Sequence, residues 1–274
     1  MNPLITPRAA EEITLSAIPK LAEEDVSPEQ ARGRILALPL VADRPLPPYD
    51  RVMMDGICCK NSDLEEHTTL AIAGDHPAGA PTPQQTPRGH CWEVMTGACL
   101  PPDCDTVIPY EQISRQDHHF TIEAGSAVAG RFIHRRASDY ETGEILVPPN
   151  TVIDSRVAAV AATVGATTLR VLQRPRVALF TTGDEVVDPT STPADHEIRQ
   201  SNAAALHAAL SAAGAELAHY QHLPDDPGAT LTAVEKHRNC DLLILCGGIS
   251  KGKYDFVRPV MEKIFGPPSF HGVA

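Results

Sequence analysis

Basic residues are in short supply: 23 Lys and Arg stand against 35 Asp and Glu, a formal charge of −12. A surface of that sign repels phosphate polymers and anionic bilayers, which argues against nucleic acid or a membrane as main partner. No run of eighteen apolar residues occurs, and the opening Met-Asn-Pro-Leu-Ile-Thr-Pro-Arg has no hydrophobic signal core. The seven cysteines are odd in number and lack paired spacing, as expected of reduced thiols in a cytoplasm. Neither C-x-x-C nor H-E-x-x-H is present, so zinc is disfavoured and no metal ligands are assigned. The histidines are scattered, and His118, His119, His219 and His222 read as surface residues.

What is present is concentrated in the last third. Arg-Val-Ala-Leu-Phe (176–180) runs into Thr-Thr-Gly-Asp-Glu (181–185), and Asp-Leu-Leu-Ile-Leu-Cys (241–246) runs into Gly-Gly-Ile-Ser-Lys-Gly-Lys-Tyr-Asp (247–255). Short apolar runs bounded by turn residues predict buried parallel strands. Both loops then fall at strand carboxyl ends, the edge where open α/β sheets bind ligands. Glycine lets backbone amides approach an anion, and neighbouring hydroxyls and acids can hold a metal or a sugar. A phosphorylated ligand is the expectation.

The rest divides by texture. Residues 1 to about 42 read as mainly helical, with Thr6 capping at Pro7 and a second helix after Ser27, whose Ala31, Ile35 and Leu38 share a face. Proline and glycine are dense from 45 to 134, where runs at 69–73, 91–95, 106–109 and 119–123 predict short strands. A polar turn at 138–144 precedes an alanine-rich helix ending at Gly165. From 174, strand and helix alternate. Ser201 and Asn202 cap a helix at 203–213, Asp226 caps the next, and Val257, Val260, Met261 and Ile264 follow helical spacing.

Six segments occur in one family's order: Pro-Leu-Pro-Pro-Tyr-Asp-Arg-Val-Met-Met-Asp-Gly (45–56), Val-Met-Thr-Gly-Ala (94–98), Thr-Thr-Gly-Asp-Glu (181–185), Ser-Asn (201–202), Asp-Asp-Pro (225–227) and the glycine loop at 247–255. The chain resembles the molybdopterin molybdenumtransferases, bacterial relatives of the E domain of gephyrin. The resemblance implies an α/β and β multidomain protein. An elongated helical-β part (1–44 plus 135–173) carries an inserted β domain (45–134), and a molybdopterin-binding-like, three-layer α/β domain follows (174–274), incomplete at its C-terminus.

It also implies an activity: insertion of molybdate into adenylylated molybdopterin (molybdopterin-AMP), with release of AMP and help from Mg2+. Asp55, Thr96, Asp139, Glu185, Asp225 and Asp255 are then the catalytic candidates. Thr182, Gly183, Asp184, Ser201, Asn202, Gly247, Gly248, Ser250, Lys251 and Lys253 are the binding candidates. Phosphoanhydride cleavage needs this mixture of carboxylates, hydroxyls, amides and cations. Each residue also has a plainer role: Asp55-Gly56 builds turns, Asp225 and Asp255 suit helix starts, Asp139 suits a solvated loop, and Thr96 can bond within its own turn. The family implies a homodimer that pairs Asp55 and Thr96 of one copy with Glu185 and Asp255 of the other, and a molybdopterin adenylyltransferase as a further partner. A noncatalytic pterin-nucleotide-binding or scaffold protein is the alternative. An adenylyltransferase itself is a third reading, opposed by the whole first half of the chain.

The departures are specific. Arg51 and Val52 stand where relatives commonly have a small polar pair, and a lysine common in the family falls on Gly272. Residues 270–274 read as the opening of a strand, so the α/β sheet is expected to be incomplete and molybdate insertion weak.

Overall fold

Thr6 accepts the Ala9 amide at 3.2 Å and opens the helix Pro7–Ser16, as its sequence predicts. The structure, a computed structural model, describes residues 4–249 and 256–274. They form two compact units, one from residues within 1–38, 150–158 and 168–274, the other from 39–149 and 159–167.

In the first unit, the helix predicted after Ser27 is absent. Residues 28–30 form a turn, and Gly33 adopts φ +74. From there, three amides bond outside their own segment: Gly33 to Ile153 O, Leu36 to Thr151 O and Ala37 to Arg170 O, at 2.8–2.9 Å. Long-range β pairing therefore overrides the helical period of Ala31, Ile35 and Leu38. The expectation of a mainly helical first 42 residues is corrected accordingly. A strand that hydrophobicity does not signal, Glu23–Val26, pairs antiparallel with Leu169–Leu172. Charge stitches this ribbon: Arg170 reaches Glu23 at 3.2 Å and Asp25 at 3.1 Å, and buried Arg34 bonds Glu24 and the Leu172 carbonyl.

The same unit carries a parallel three-stranded sheet in the order Glu216–Leu223, Arg176–Thr182, Leu242–Cys246. Arg176–Thr182 is central, and Val177 through Phe180 are fully buried, as their apolar run predicts. Helices Asn202–Ala212, Pro227–His237 and Val257–Phe265 follow in turn, with Pro259 confined to the first turn of the last. Among the described residues Leu242–Cys246 is paired on one side only. Residues 270–274 contribute a single parallel bridge, Val273 to Ile5.

The second unit is built on a six-stranded sheet in the order Thr106–Pro109, Gly56–Cys59, His90–Val94, Thr69–His76, His119–Ile122, Ile113–Gln116. All four strands predicted from the sequence are present. Gly56–Cys59 lies between two partners and is buried on both faces: Ile57 and Cys59 join Leu70, Ile108 and Phe120, while Cys58 joins Val52, Val94 and Val107. A side chain at Gly56 would collide with the Ile108 carbonyl. The helix Ser155–Thr163 ends beside Gly165 at φ +69, again as predicted.

Candidate functional site

Register decides what meets at the edge of the α/β sheet. Thr181 stands opposite Cys246 on one side and His222 on the other, so the chain leaves two neighbouring strands at the same level, into Gly183 and Gly247. The approach is close. A β-carbon on Gly247 would lie 2.6 Å from Thr182 Oγ1 and 2.8 Å from the Thr182 carbonyl, and one on Gly183 would lie 2.9 Å from Glu185 Oε2. Gly183, Gly247 and Gly248 take φ of +131, +101 and +59, which suit glycine.

These loops enclose a cleft of about 190 Å3 lined by Thr182, Glu185, Ser201, Asn202, Cys246 and Gly247, among others. Five of the sequence-predicted residues thus share one wall. Thr182 Oγ1 is buried and has no hydrogen-bond partner among the described residues. Burial pushes the Cys246 thiol up, which favours its protonated form. The start of helix Asn202–Ala212 opens into the cleft. Its cap differs from the sequence reading: Gln200 Oε1 accepts the Ala203 amide at 3.2 Å, while the Ser201 side chain makes no capping bond. An apolar cavity of about 430 Å3 adjoins the cleft through Val186 and Gln200, and His207, Leu217, Tyr220 and His222 line it.

One step along the same edge, Asp184 Oδ1 accepts the Asp225 amide at 3.2 Å, so these two acids are neighbours. Asp226 accepts Ala229 N at 2.7 Å and is the helix cap, which separates its role from that of Asp225. His222, read from the sequence as a surface residue, is half-buried. Its ring bonds Thr181 Oγ1 at 2.9 Å and the Gly183 carbonyl at 3.1 Å, tying down the turn that carries Glu185. No spacing rule exposes this contact, because it depends on strand register. The Val257 amide bonds the Gly248 carbonyl at 3.1 Å and closes the base of the second loop. Ser250, Lys251, Lys253 and Asp255 lie outside the described residues.

The second unit holds the remaining candidates. Asp55 Oδ1 accepts both the amide and the hydroxyl of Thr96, at 2.6 and 2.7 Å. The turn at 95–98 is itself pinned to the preceding segment, with Gly97 N on Val52 O and Val52 N on Ala98 O, both 2.9 Å. The Thr96 amide, then its hydroxyl, hold the exposed Asp55 carboxyl below its ordinary value of 3.8. Asp139 is fixed through its amide, 2.9 Å from the Leu46 carbonyl, and through His134 Nε2, 2.8 Å from its Oδ1. Met53 and Met54 are exposed beside Asp55 rather than packed in the core.

Comparison with known proteins gives a consistent result. A family model described as the MoeA N-terminal region (domain I and II) matches residues 5–165, and one described as a probable molybdopterin binding domain matches 178–274. A molybdopterin molybdenumtransferase of Synechocystis is 34% identical over 274 residues, covering 99% of this chain and 70% of that protein. One of Nostoc is 31% identical over 273 residues, covering 96% and 62%. The solved structure of a molybdopterin biosynthesis MoeA protein from Pyrococcus horikoshii matches with a TM-score of 0.81 at 25% identity, covering 96% of this chain and 68% of that one. The chain therefore spans roughly two thirds of the length of the proteins it matches.

The Asp55–Thr96 pair makes a sharp prediction. Thr96→Val deletes the hydroxyl donor and keeps the amide, so the Asp55 pKa should rise from its lowered value toward 3.8 in a carbon-detected NMR titration. The sign follows from linkage: a depressed folded pKa stabilises the fold above the unfolded value, and the contribution fades as pH falls through the folded one. An unchanged titration would show that the hydroxyl does not act on Asp55.

Proposed function

Because this chain belongs to the molybdopterin molybdenumtransferase family, we propose that it works at the end of molybdenum cofactor synthesis. It binds adenylylated molybdopterin, inserts molybdate at the dithiolene sulfurs and releases AMP. The observation that carries this reading is the cleft in which Thr182, Glu185, Ser201, Asn202 and Gly247 converge. Its buried Thr182 hydroxyl has no partner among the described residues, an arrangement that costs about 1–3 kcal/mol unless a ligand oxygen satisfies it.

Each group has a part that its chemistry supports. The first amides of helix Asn202–Ala212, with the Gly183 and Gly247 turns, offer donors and a positive helix end to a phosphate. Thr182 and Ser201 donate to its remaining oxygens. Glu185 takes the proton of the attacking oxygen, and Asp184 and Asp225 stand together on the same edge. The adjoining cavity, walled by Tyr220, His207 and Leu217, suits a flat ring system. Ser250, Lys251, Lys253 and Asp255 complete the reading from the second loop, where the lysines balance the charge of molybdate in a partly dry site.

Mg2+ fits the donor chemistry of the cleft. Thr182, Ser201, Asn202 and Glu185 offer hard oxygens, and among the described residues no His, Cys, Asp and Glu cluster forms a cage for a softer ion. Mg2+ would be held by one oxygen of Glu185 together with substrate phosphates, leaving the second Glu185 oxygen for the proton, and would neutralise phosphate charge there.

We assign Asp55, Thr96 and Asp139 to the same reaction through a homodimer, in which the second unit of one copy serves the α/β cleft of its partner. The elongated part at 1–44 and 135–173 is the element we expect to carry that contact. Leu15 and Ile18 are exposed, and Ile13, Ala17, Leu21 and Leu242 line an open apolar groove of about 590 Å3. Sedimentation should show a dimer, and a monomer at micromolar concentration would remove the shared site. A molybdopterin adenylyltransferase is the proposed source of the substrate. The seven free cysteines suit a reducing cytoplasm, and no helix among the described residues is long and apolar enough to cross a membrane.

Thr182→Val separates binding from folding. Removing a buried hydroxyl that has no partner among the described residues should leave stability equal or slightly higher, while affinity for adenylylated molybdopterin falls roughly 10-fold, the worth of one good hydrogen bond. Glu185→Ala should bind the nucleotide but lose AMP release. Unchanged affinity in the first variant together with unchanged turnover in the second would sink the assignment of this cleft.

A further inference from the structure

Arg51, in the loop before Asp55, makes a defined side-chain contact. Its Nη2 lies 2.9 Å from His134 Nδ1, and His134 Nε2 lies 2.8 Å from Asp139 Oδ1. A guanidinium can only donate, so Nδ1 must be the bare nitrogen of the ring. The proton of the imidazole therefore sits on Nε2 and points at the Asp139 carboxylate. Both nitrogens are spoken for, and the tautomer follows from the partners.

The backbone holds this line of three side chains in place. Arg51 and His134 are directly opposed in the antiparallel pair Arg51–Val52 with Ile133–His134. Asp50 anchors the next two residues of the opposing segment, with Oδ2 on Arg135 Nη1 at 2.6 Å and Oδ1 on the Arg136 amide at 2.8 Å. Ala137 N then bonds the Pro47 carbonyl and Asp139 N the Leu46 carbonyl, at 3.0 and 2.9 Å. One stretch, 46–51, thus fixes the loop that presents Asp139 at both its main chain and its carboxylate.

Stability does not account for the arrangement. Arg51 is exposed and the Asp139 side chain is 48% accessible, and such contacts at the surface contribute little to folding. What the line does accomplish is to aim one carboxylate oxygen and leave the other for a reacting partner. We propose that Arg51 and His134 are positioning residues for Asp139: Arg51 locks His134 in the Nε2–H tautomer, and His134 orients the Asp139 carboxylate. The role rests on the reading of Asp139 as a residue of the molybdenumtransferase reaction.

The test uses the whole chain and two readouts. Long-range nitrogen–proton NMR of His134 at neutral pH should show the neutral Nε2–H ring, and Arg51→Met should convert it to a tautomer mixture. In AMP release from adenylylated molybdopterin, His134→Ala should lower kcat between about 10- and 100-fold with KM little changed, the cost of a misplaced group. His134→Gln, whose amide can donate toward Asp139, should recover most of that loss. An Nδ1–H or doubly protonated ring in the unmodified protein overturns the proposal. So does wild-type turnover in His134→Ala while Asp139→Asn is impaired. Should Asp139→Asn itself turn over normally with the Nε2–H ring in place, the reaction does not use Asp139, and the positioning role falls with that reading rather than with the geometry.

Discussion

Thr181 lies across from Cys246 and His222 in the parallel sheet, and the rest of the candidate site depends on that register. Because side chains alternate faces along a strand, a slip of one residue would turn Thr182 away from Gly247. It would also break the bonds from His222 to Thr181 and Gly183 that hold the Glu185 turn. The register is secured by burial: Val177, Ala178, Leu179 and Phe180 are fully enclosed on the central strand, so displacement exposes both faces of the sheet at once. The geometry of the candidate site at the edge therefore rests on apolar packing beneath it.

The second unit uses a different device. Its candidate residues sit on exposed loops, where packing cannot fix a side chain, and hydrogen bonds do so instead. Asp55 is held by the Thr96 amide and hydroxyl, and Asp139 by a main-chain bond to Leu46 and by His134. The 46–56 loop is common to both. It lies against the 95–98 turn on one side and the 133–139 segment on the other, which explains how residues far apart in sequence can present their carboxylates from one frame.

Much of this was legible in the sequence, for identifiable reasons. Strands with a strong local signal, such as Arg176–Thr182 and Thr106–Pro109, fell where their apolar runs placed them. Helices with a cap and a proline at their start, Pro7–Ser16 and Pro227–His237, did so as well. The failures share a cause. Glu23–Val26 carries three acids in four residues and is a strand because Arg170 and Arg34 pair with them from elsewhere in the chain. The helix expected after Ser27 gave way to bonds with 151–153 and 170–172. Gln200 displaced Ser201 as helix cap, and His222 entered the site through register alone. Motif reading finds residues that carry chemistry, but it misses those that act only by holding others in place.

The proposed ligand site depends on Gly247, whose lack of a side chain lets the Thr182 hydroxyl stand close to its α-carbon. Calorimetric titration of adenylylated molybdopterin into Gly247→Ala tests it most directly, with circular dichroism to confirm that the sheet is retained. A methyl there would lie 2.6 Å from Thr182 Oγ1, so the account predicts a retained fold and affinity weakened by at least about 10-fold. A folded Gly247→Ala protein that binds as tightly as the original would contradict it.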